Sequence, residues 1–157
     1  VYIMLLNINP ILNGELLNVL LTKGQGDELV IVDCNFPAYS ISQKTTIKKL
    51  IRMDGIDIPM LSRAIFSVFP LDSFVKEPIL RMEIDGQPGK FGECHQDLKR
   101  ILNESYEKNW EIGSIERHKF YERSKKAYAI VSASGERRGY GCFILIKGVI
   151  NEDGKIV

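Results

Sequence analysis

Long apolar runs are missing from this chain. No segment approaches the roughly 18 consecutive apolar residues of a membrane-spanning helix, so no membrane contact is expected. Histidine is scarce, with 2 in 157 residues. They are His95 and His118, not paired at metal-ligand spacing, and no metal is expected. The 3 cysteines, Cys34, Cys94 and Cys142, are an odd number at no metal spacing. That pattern predicts reduced thiols in a cytoplasmic protein. A charge excess is also absent. Lys plus Arg number 21 against 20 Asp plus Glu, for a net charge of +1, which carries no nucleic-acid footprint. The basic pair Lys125-Lys126 is balanced by Glu116 and Glu122 and reads as a solvated helix face. Gly24-x-Gly26 lacks the third glycine and the strand-first order of a dinucleotide loop, and no phosphate-loop lysine motif occurs. Val1 to Leu6 is apolar but has no basic residue ahead of it and no cleavage site, and it is too short for a signal peptide. Internal repeats, low-complexity tracts and linkers are missing too.

What is present is an ordinary globular mixture, 45% apolar and 26% charged. The length predicts one domain over residues 1–157, burying about 68–70% of its unfolded surface. Asn13 reads as the N-cap of a helix with Leu16, Leu17, Leu20 and Leu21 on one face and Gly24 as its stop. Leu29 to Val32 reads as a strand covered on both sides. Asn35 to Gln43 reads as loop. Asp57 caps a second helix with Pro59 in its first turn, burying Leu61, Ile65 and Val68 and ending at Pro70. Ile79 to Ile84 reads as a strand, and Asp85 to Gly89 as turns. A polar helix from Glu93 to Glu107 carries a Leu98, Ile101, Leu102 stripe. Ile112 to Glu116 and Tyr128 to Ser132 are strand candidates on either side of a helix over His118 to Lys126. Gly135 to Gly141 reads as a glycine-punctuated turn before an apolar strand, Cys142 to Ile150. Alternating strands and helices predict the α/β class.

Several residues can carry chemistry. Asp33 ends an apolar strand, where side chains of α/β proteins face a crevice, or else it caps a turn. Gln25, between two glycines, can orient a hydroxyl but cannot shuttle a proton; it can equally belong to a plain turn. Arg117, at a strand-to-helix junction, offers a fork of donors suited to sugar hydroxyls, or a surface ion pair with Glu116 or Glu122. Tyr140 can present its phenol or cover the sheet end. Cys142 reads as a buried small residue rather than a nucleophile. His118 can titrate near neutrality, and His95 sits on the polar helix.

Two separated segments go further: Gly24-Gln25-Gly26-Asp27-Glu28 with Asp33-Cys34-Asn35-Phe36-Pro37, and Arg117 to Arg123 with Gly135-Glu136 and Tyr140-Gly141-Cys142. With Ile51-Arg52-x-Asp54-Gly55, Pro70-Leu71-Asp72-Ser73 and Lys125-Lys126-Ala127, they resemble the fucose mutarotase and ribose pyranase family, closer to the fucose mutarotase branch. Val1-Tyr2-Ile3 precedes that match and reads as a start-site extension. The resemblance implies a three-layer α/β/α fold with a mixed central sheet, as in ribose pyranase. It also implies a mutarotase-type isomerase that interconverts anomers of L-fucose or a related monosaccharide without metal or cofactor. A homo-oligomeric ring, often a decamer, with sites near subunit boundaries is implied as well. Carried over, Asp33, Arg117, Tyr140, Gly141 and Cys142 fall where the family binds sugar. Gln25 falls on the family's catalytic histidine, and Cys142 where asparagine is usual, which implies the alternative of a weakened, sugar-binding member. One extra residue stands between Val131 and Gly135.

Overall fold

The chain's computed structural model describes residues 4–157; Val1, Tyr2 and Ile3, including the predicted extension, lie outside them. The first helix, α1 (Gly14–Thr22), begins where Asn13 Oδ1 accepts the Leu16 amide at 2.9 Å. It buries Leu16, Val19 and Leu20. Leu21, expected on that face, is instead 81% exposed, because the inward stripe repeats at three and four residues. That stripe arrives next at Lys23, which is buried and ends the helix in extended conformation one residue before Gly24. Gly26, at φ +82°, makes the turn into β1 (Glu28–Val32), whose last four residues are buried.

The Asn35 to Gln43 segment is not all loop. It contains the short helix α2 (Ala38–Ser42), which with Phe36 buries Ala38 and Ile41. Next comes β2 (Leu50–Met53), a strand that the sequence pattern left unassigned. α3 (Ile58–Phe66) is capped by Asp57 as expected, but stops before Val68 and Pro70. It is followed by β3 (Ile79–Met82), α4 (Glu93–Ser105), β4 (Ile112–Ile115), α5 (Arg117–Lys125), β5 (Ala129–Ala133) and β6 (Phe143–Ile146).

The six strands form one sheet in the order β2-β5-β1-β6-β3-β4. β1 pairs parallel with β5, β5 with β2, and β3 with β4, while β6 runs antiparallel to both β1 and β3. Five strands therefore point one way and only β6 returns. On one face α1, α3 and α4 bury Leu16, Leu61, Ile65, Leu98 and Ile101 against Leu29, Ile31 and Phe143. On the other, α2 and α5 bury Ile41 and Phe120 against Val30, Val32, Ile130 and Ile144. This is the expected α/β/α sandwich around a mixed sheet. The Phe143 to Ile146 run is consumed inside the chain's own core. It leaves Ile150 as the exposed end of that segment.

Candidate functional site

Because β6 is antiparallel, its first residue lies at the same sheet edge as the last residues of β1, β3 and β4. Functional groups collect at this carboxyl edge because the loops leaving it diverge and open a crevice. Here Asp33 follows β1, Met82 ends β3, Arg117 opens α5 after β4, and Tyr140-Gly141-Cys142 leads into β6. Asp33, Arg117, Tyr140 and Cys142 line one cavity of about 190 Å³, together with Asn35, Phe36, Met82, Tyr121 and Gly139. That volume lies below the roughly 300–1,000 Å³ of drug-sized pockets.

Asp33 is 3% exposed and organises two loops at once. Its Oδ1 accepts the amides of Asn35 (3.0 Å) and Phe36 (3.1 Å), and its Oδ2 accepts the amide of Gly141 (2.9 Å). Burial pushes its carboxyl up from the ordinary value, while the amide donors of Asn35, Gly141 and Phe36 and the Cys142 thiol pull it back. Cys142 is buried and its thiol is pushed up, first by burial and then by the Asp33 charge. It stays a neutral thiol and offers a ligand only weak bonds.

Arg117 opens α5 just after the N-cap Glu116, whose carboxylate accepts the amides of His118 (2.9 Å) and Lys119 (3.0 Å). The Arg117 Nε donates to Asp85 at 2.8 Å, and the guanidinium lies 5.8 Å from the Tyr121 ring centre. Neither Glu116 nor Glu122 is its ion-pair partner. The partner comes from the turn-rich segment after β3, which sequence distance concealed. Tyr121 packs edge-on against Phe36, with ring centres 5.3 Å apart. Tyr121 was not singled out from the sequence, yet it sits four residues after Arg117, on the same helix face. His118 is exposed beside Arg117 and does not line the cavity.

Gln25 is elsewhere. It precedes β1, at the opposite edge of the sheet, where Gly26 donates to the Lys147 carbonyl at 2.8 Å. The five-residue strand alone separates the two ends by about 16 Å. Gln25 is exposed and lines a second cavity of about 500 Å³ with Leu17, Leu20, Leu21, Val68 and Ile150. Within one chain it cannot reach a molecule held at Asp33. The stretch before Gly135, where an extra residue is expected, sits in a tight junction: Ser134 Oγ accepts the Gly55 amide at 3.2 Å and Gly135 donates to Ile56 O at 3.0 Å. Among the described residues, no group of three or more His, Cys, Asp and Glu could hold a metal ion. Likewise, no helix among them is long and apolar enough to cross a membrane.

Residues 6–150 match the model of the RbsD / FucU transport protein family. The chain is 40% identical over 147 residues to the fucose mutarotase of Mus musculus, covering 92% of this chain and 94% of that one. It superposes with a TM-score of 0.82 on the crystal structure of the fucose mutarotase from Streptococcus pneumoniae in complex with L-fucose, at 36% identity, covering 94% of this chain and 100% of that one. Bacillus subtilis RbsD, complexed with D-ribose, shares the fold at a TM-score of 0.66 and 18% identity, covering 89% and 95%.

Proposed function

We propose, on the premise that the chain belongs to the RbsD / FucU transport protein family, that it is a monosaccharide mutarotase acting on L-fucose or a related sugar. The observation that carries this is the convergence of Asp33, Arg117, Tyr140 and Cys142, from three separate stretches of chain, on one cavity sized for a small ligand. Anomer exchange breaks the bond between C1 and the ring oxygen and remakes it on the other face of the aldehyde. The C1 hydroxyl gives up a proton, the ring oxygen takes one, and nothing is gained or lost overall. In this reading Asp33, with both oxygens fixed by backbone amides, accepts the hydroxyl proton. The Tyr140 phenol polarises the ring oxygen, and the Arg117 fork, held by Asp85, binds hydroxyls. Cys142 lines the cavity wall, and Gly141 acts from behind it through its amide bond to Asp33. Saturation-difference NMR on L-fucose reports exchange directly. No acceleration above buffer across a panel of aldoses would end the proposal.

The distance between Gln25 and Asp33 bears on the assembly. If Gln25 belongs to the sugar site, a second copy of the chain must bring it there. The 81% exposed Leu21 and the 49% exposed Ile150 flank its cavity and supply apolar surface for such a contact. A closed homo-oligomer, a decamer in its full form, is the reading this supports. The free thiols of Cys34, Cys94 and Cys142 suit a reducing, cytoplasmic setting, and residues 1–157 act as one mutarotase-like domain without metal or cofactor.

A second reading is favoured by two particular residues. Gln25 cannot transfer a proton, and the buried Cys142 thiol is a poor partner for a hydroxyl. A sugar-binding protein with slow exchange would follow. Gln25→His separates the two readings. A gain approaching the roughly 10²–10⁴-fold of a positioned acid–base group identifies a weakened enzyme. Sugar binding by calorimetry, with exchange at the buffer rate in both proteins, identifies a binder.

A further inference from the structure

One buried side chain that does not line the cavity grips the backbone of a residue that does. His95, in the first turn of α4, is 1% exposed. The Gly92 amide donates to its Nδ1 at 3.0 Å. Nδ1 is therefore the unprotonated nitrogen, and Nε2 carries the hydrogen. That Nε2 lies 2.8 Å from the Tyr140 carbonyl oxygen and donates to it. The ring is wedged edge-on between Phe91 and Phe143, with centres 6.0 and 5.7 Å away. Burial, with the Arg81 charge nearby, pushes its pKa down to about 4, so the ring is a neutral donor at physiological pH.

Tyr140 needs such a grip. Its φ is +59°, in the left-handed region that a bulky side chain occupies only when its surroundings hold it there. The next amide, Gly141 N–H, donates to Asp33 Oδ2 at 2.9 Å. The first turn of α4 closes on Gly141 as well, since a methyl group there would come within 3.0 Å of the Cys94 sulfur. A chain of contacts thus runs from α4 through Tyr140 to the carboxylate in the cavity.

Building on the mutarotase reading, we propose that His95 is a positioning residue for the sugar site. Its Nε2–H fixes the left-handed turn at Tyr140 and so aims both the Tyr140 phenol and the Gly141 amide that orients Asp33. The competing role is a cap for α4 through Nδ1 alone. Two variants divide the functions of the ring. In H95N the amide reaches as far as Nδ1, so it can keep the Gly92 bond but not the Tyr140 bond. In H95Q the longer side chain brings a donor to the Tyr140 carbonyl and gives up the cap.

The test measures exchange kinetics and melting temperature for the native protein and both variants, with crystal structures of the variants. Positioning predicts that H95N exchanges roughly tenfold more slowly, while H95Q stays within about threefold of native, whatever the order of their melting temperatures. In the H95N crystal, Tyr140 leaves positive φ and the Gly141–Asp33 bond lengthens; in H95Q both are kept. Native-like exchange in H95N, or equal losses in the two variants, overturns the inference. If the native protein exchanges no sugar, the mutarotase reading fails. The crystallographic comparison still decides the positioning role, because an unmoved Tyr140 in H95N would refute it alone.

Discussion

At the scale of single residues, burial pushes Asp33 and His95 the same way, each toward its neutral form. The Asp33 carboxyl is raised by burial and drawn partly back by the amides of Asn35, Gly141 and Phe36, so its readiness to take a proton depends on both oxygens keeping those donors. Asp33→Asn replaces one oxygen with a donor that faces an amide already donating. Exchange should fall by roughly 10²–10⁴-fold, and about 1–3 kcal/mol of stability should go with it. A variant that exchanges L-fucose at the native rate would remove Asp33 from the chemistry. His95 is buried neutral. The unfolded chain binds its proton below about pH 6.5, whereas the folded one resists until about pH 4. Stability contributed by the neutral ring is thus intact above 6.5 and is lost as the pH falls through that window, at roughly 1.4 kcal/mol per unit for one site. Urea titrations should show His95→Gln gaining on the native protein between pH 6.5 and 4. A gap that does not change with pH would mean the ring is already protonated when folded.

Among elements, the connection from β5 to β6 is where the site is braced. Glu136 is 2% exposed, and its Oε2 accepts the Ile58 amide at the start of α3 at 3.1 Å. Its other oxygen takes Arg138 Nε at 2.8 Å, and Arg138 reaches on to Asp97 of α4 at 2.6 Å. Burial opposes the Glu136 charge, yet the bonds from Arg138 and Ile58 hold its carboxyl below the ordinary value. Glu136→Ala strands a buried helix-terminal amide and loosens Arg138. A loss of about 2–3 kcal/mol in urea is expected, with Glu136→Gln recovering part of it through the retained oxygen. Gly135→Ala tests the same junction sterically, because its methyl would meet the Gly55 backbone at 2.7 Å. A melt unchanged by that substitution would show that the two loops are free to part. Only the Glu136–Arg138 bond is local. Glu136 and Ile58 are 78 residues apart in sequence, and only the docking of α3 on the sheet brings them together.

For the whole molecule, the separation of Gln25 from Asp33 makes assembly a condition of function if both residues serve one sugar. Light scattering should report roughly ten subunits, and at least about five, for a closed ring. Leu21→Glu puts a charge on the exposed apolar rim of the Gln25 cavity while leaving the Asp33 cavity untouched. It should break the assembly and slow exchange together. A monomeric Leu21→Glu protein that exchanges sugar at the native rate would show that one chain holds the complete site.

Local chemistry in the sequence determined the α/β class, the caps at Asn13 and Asp57, the buried β1 run and the positions of the candidate residues. Each rests on neighbours within a few positions, or on a resemblance spread along the chain. Boundaries failed where burial overrode pattern. α2 was hidden because Phe36, Ala38 and Ile41 reveal a shared face only once the second side of the sheet exists. Leu21 was misplaced because several leucines satisfied the same periodicity. The tertiary structure alone decided which candidates meet. One antiparallel strand, β6, brings Tyr140 to the edge where Asp33 and Arg117 follow β1 and β4, while β1 holds Gln25 a full strand length away. It also turned His95 from an isolated residue on a polar helix into a donor to the Tyr140 carbonyl, because a hydrogen bond across 45 residues exists only after the core has folded around it.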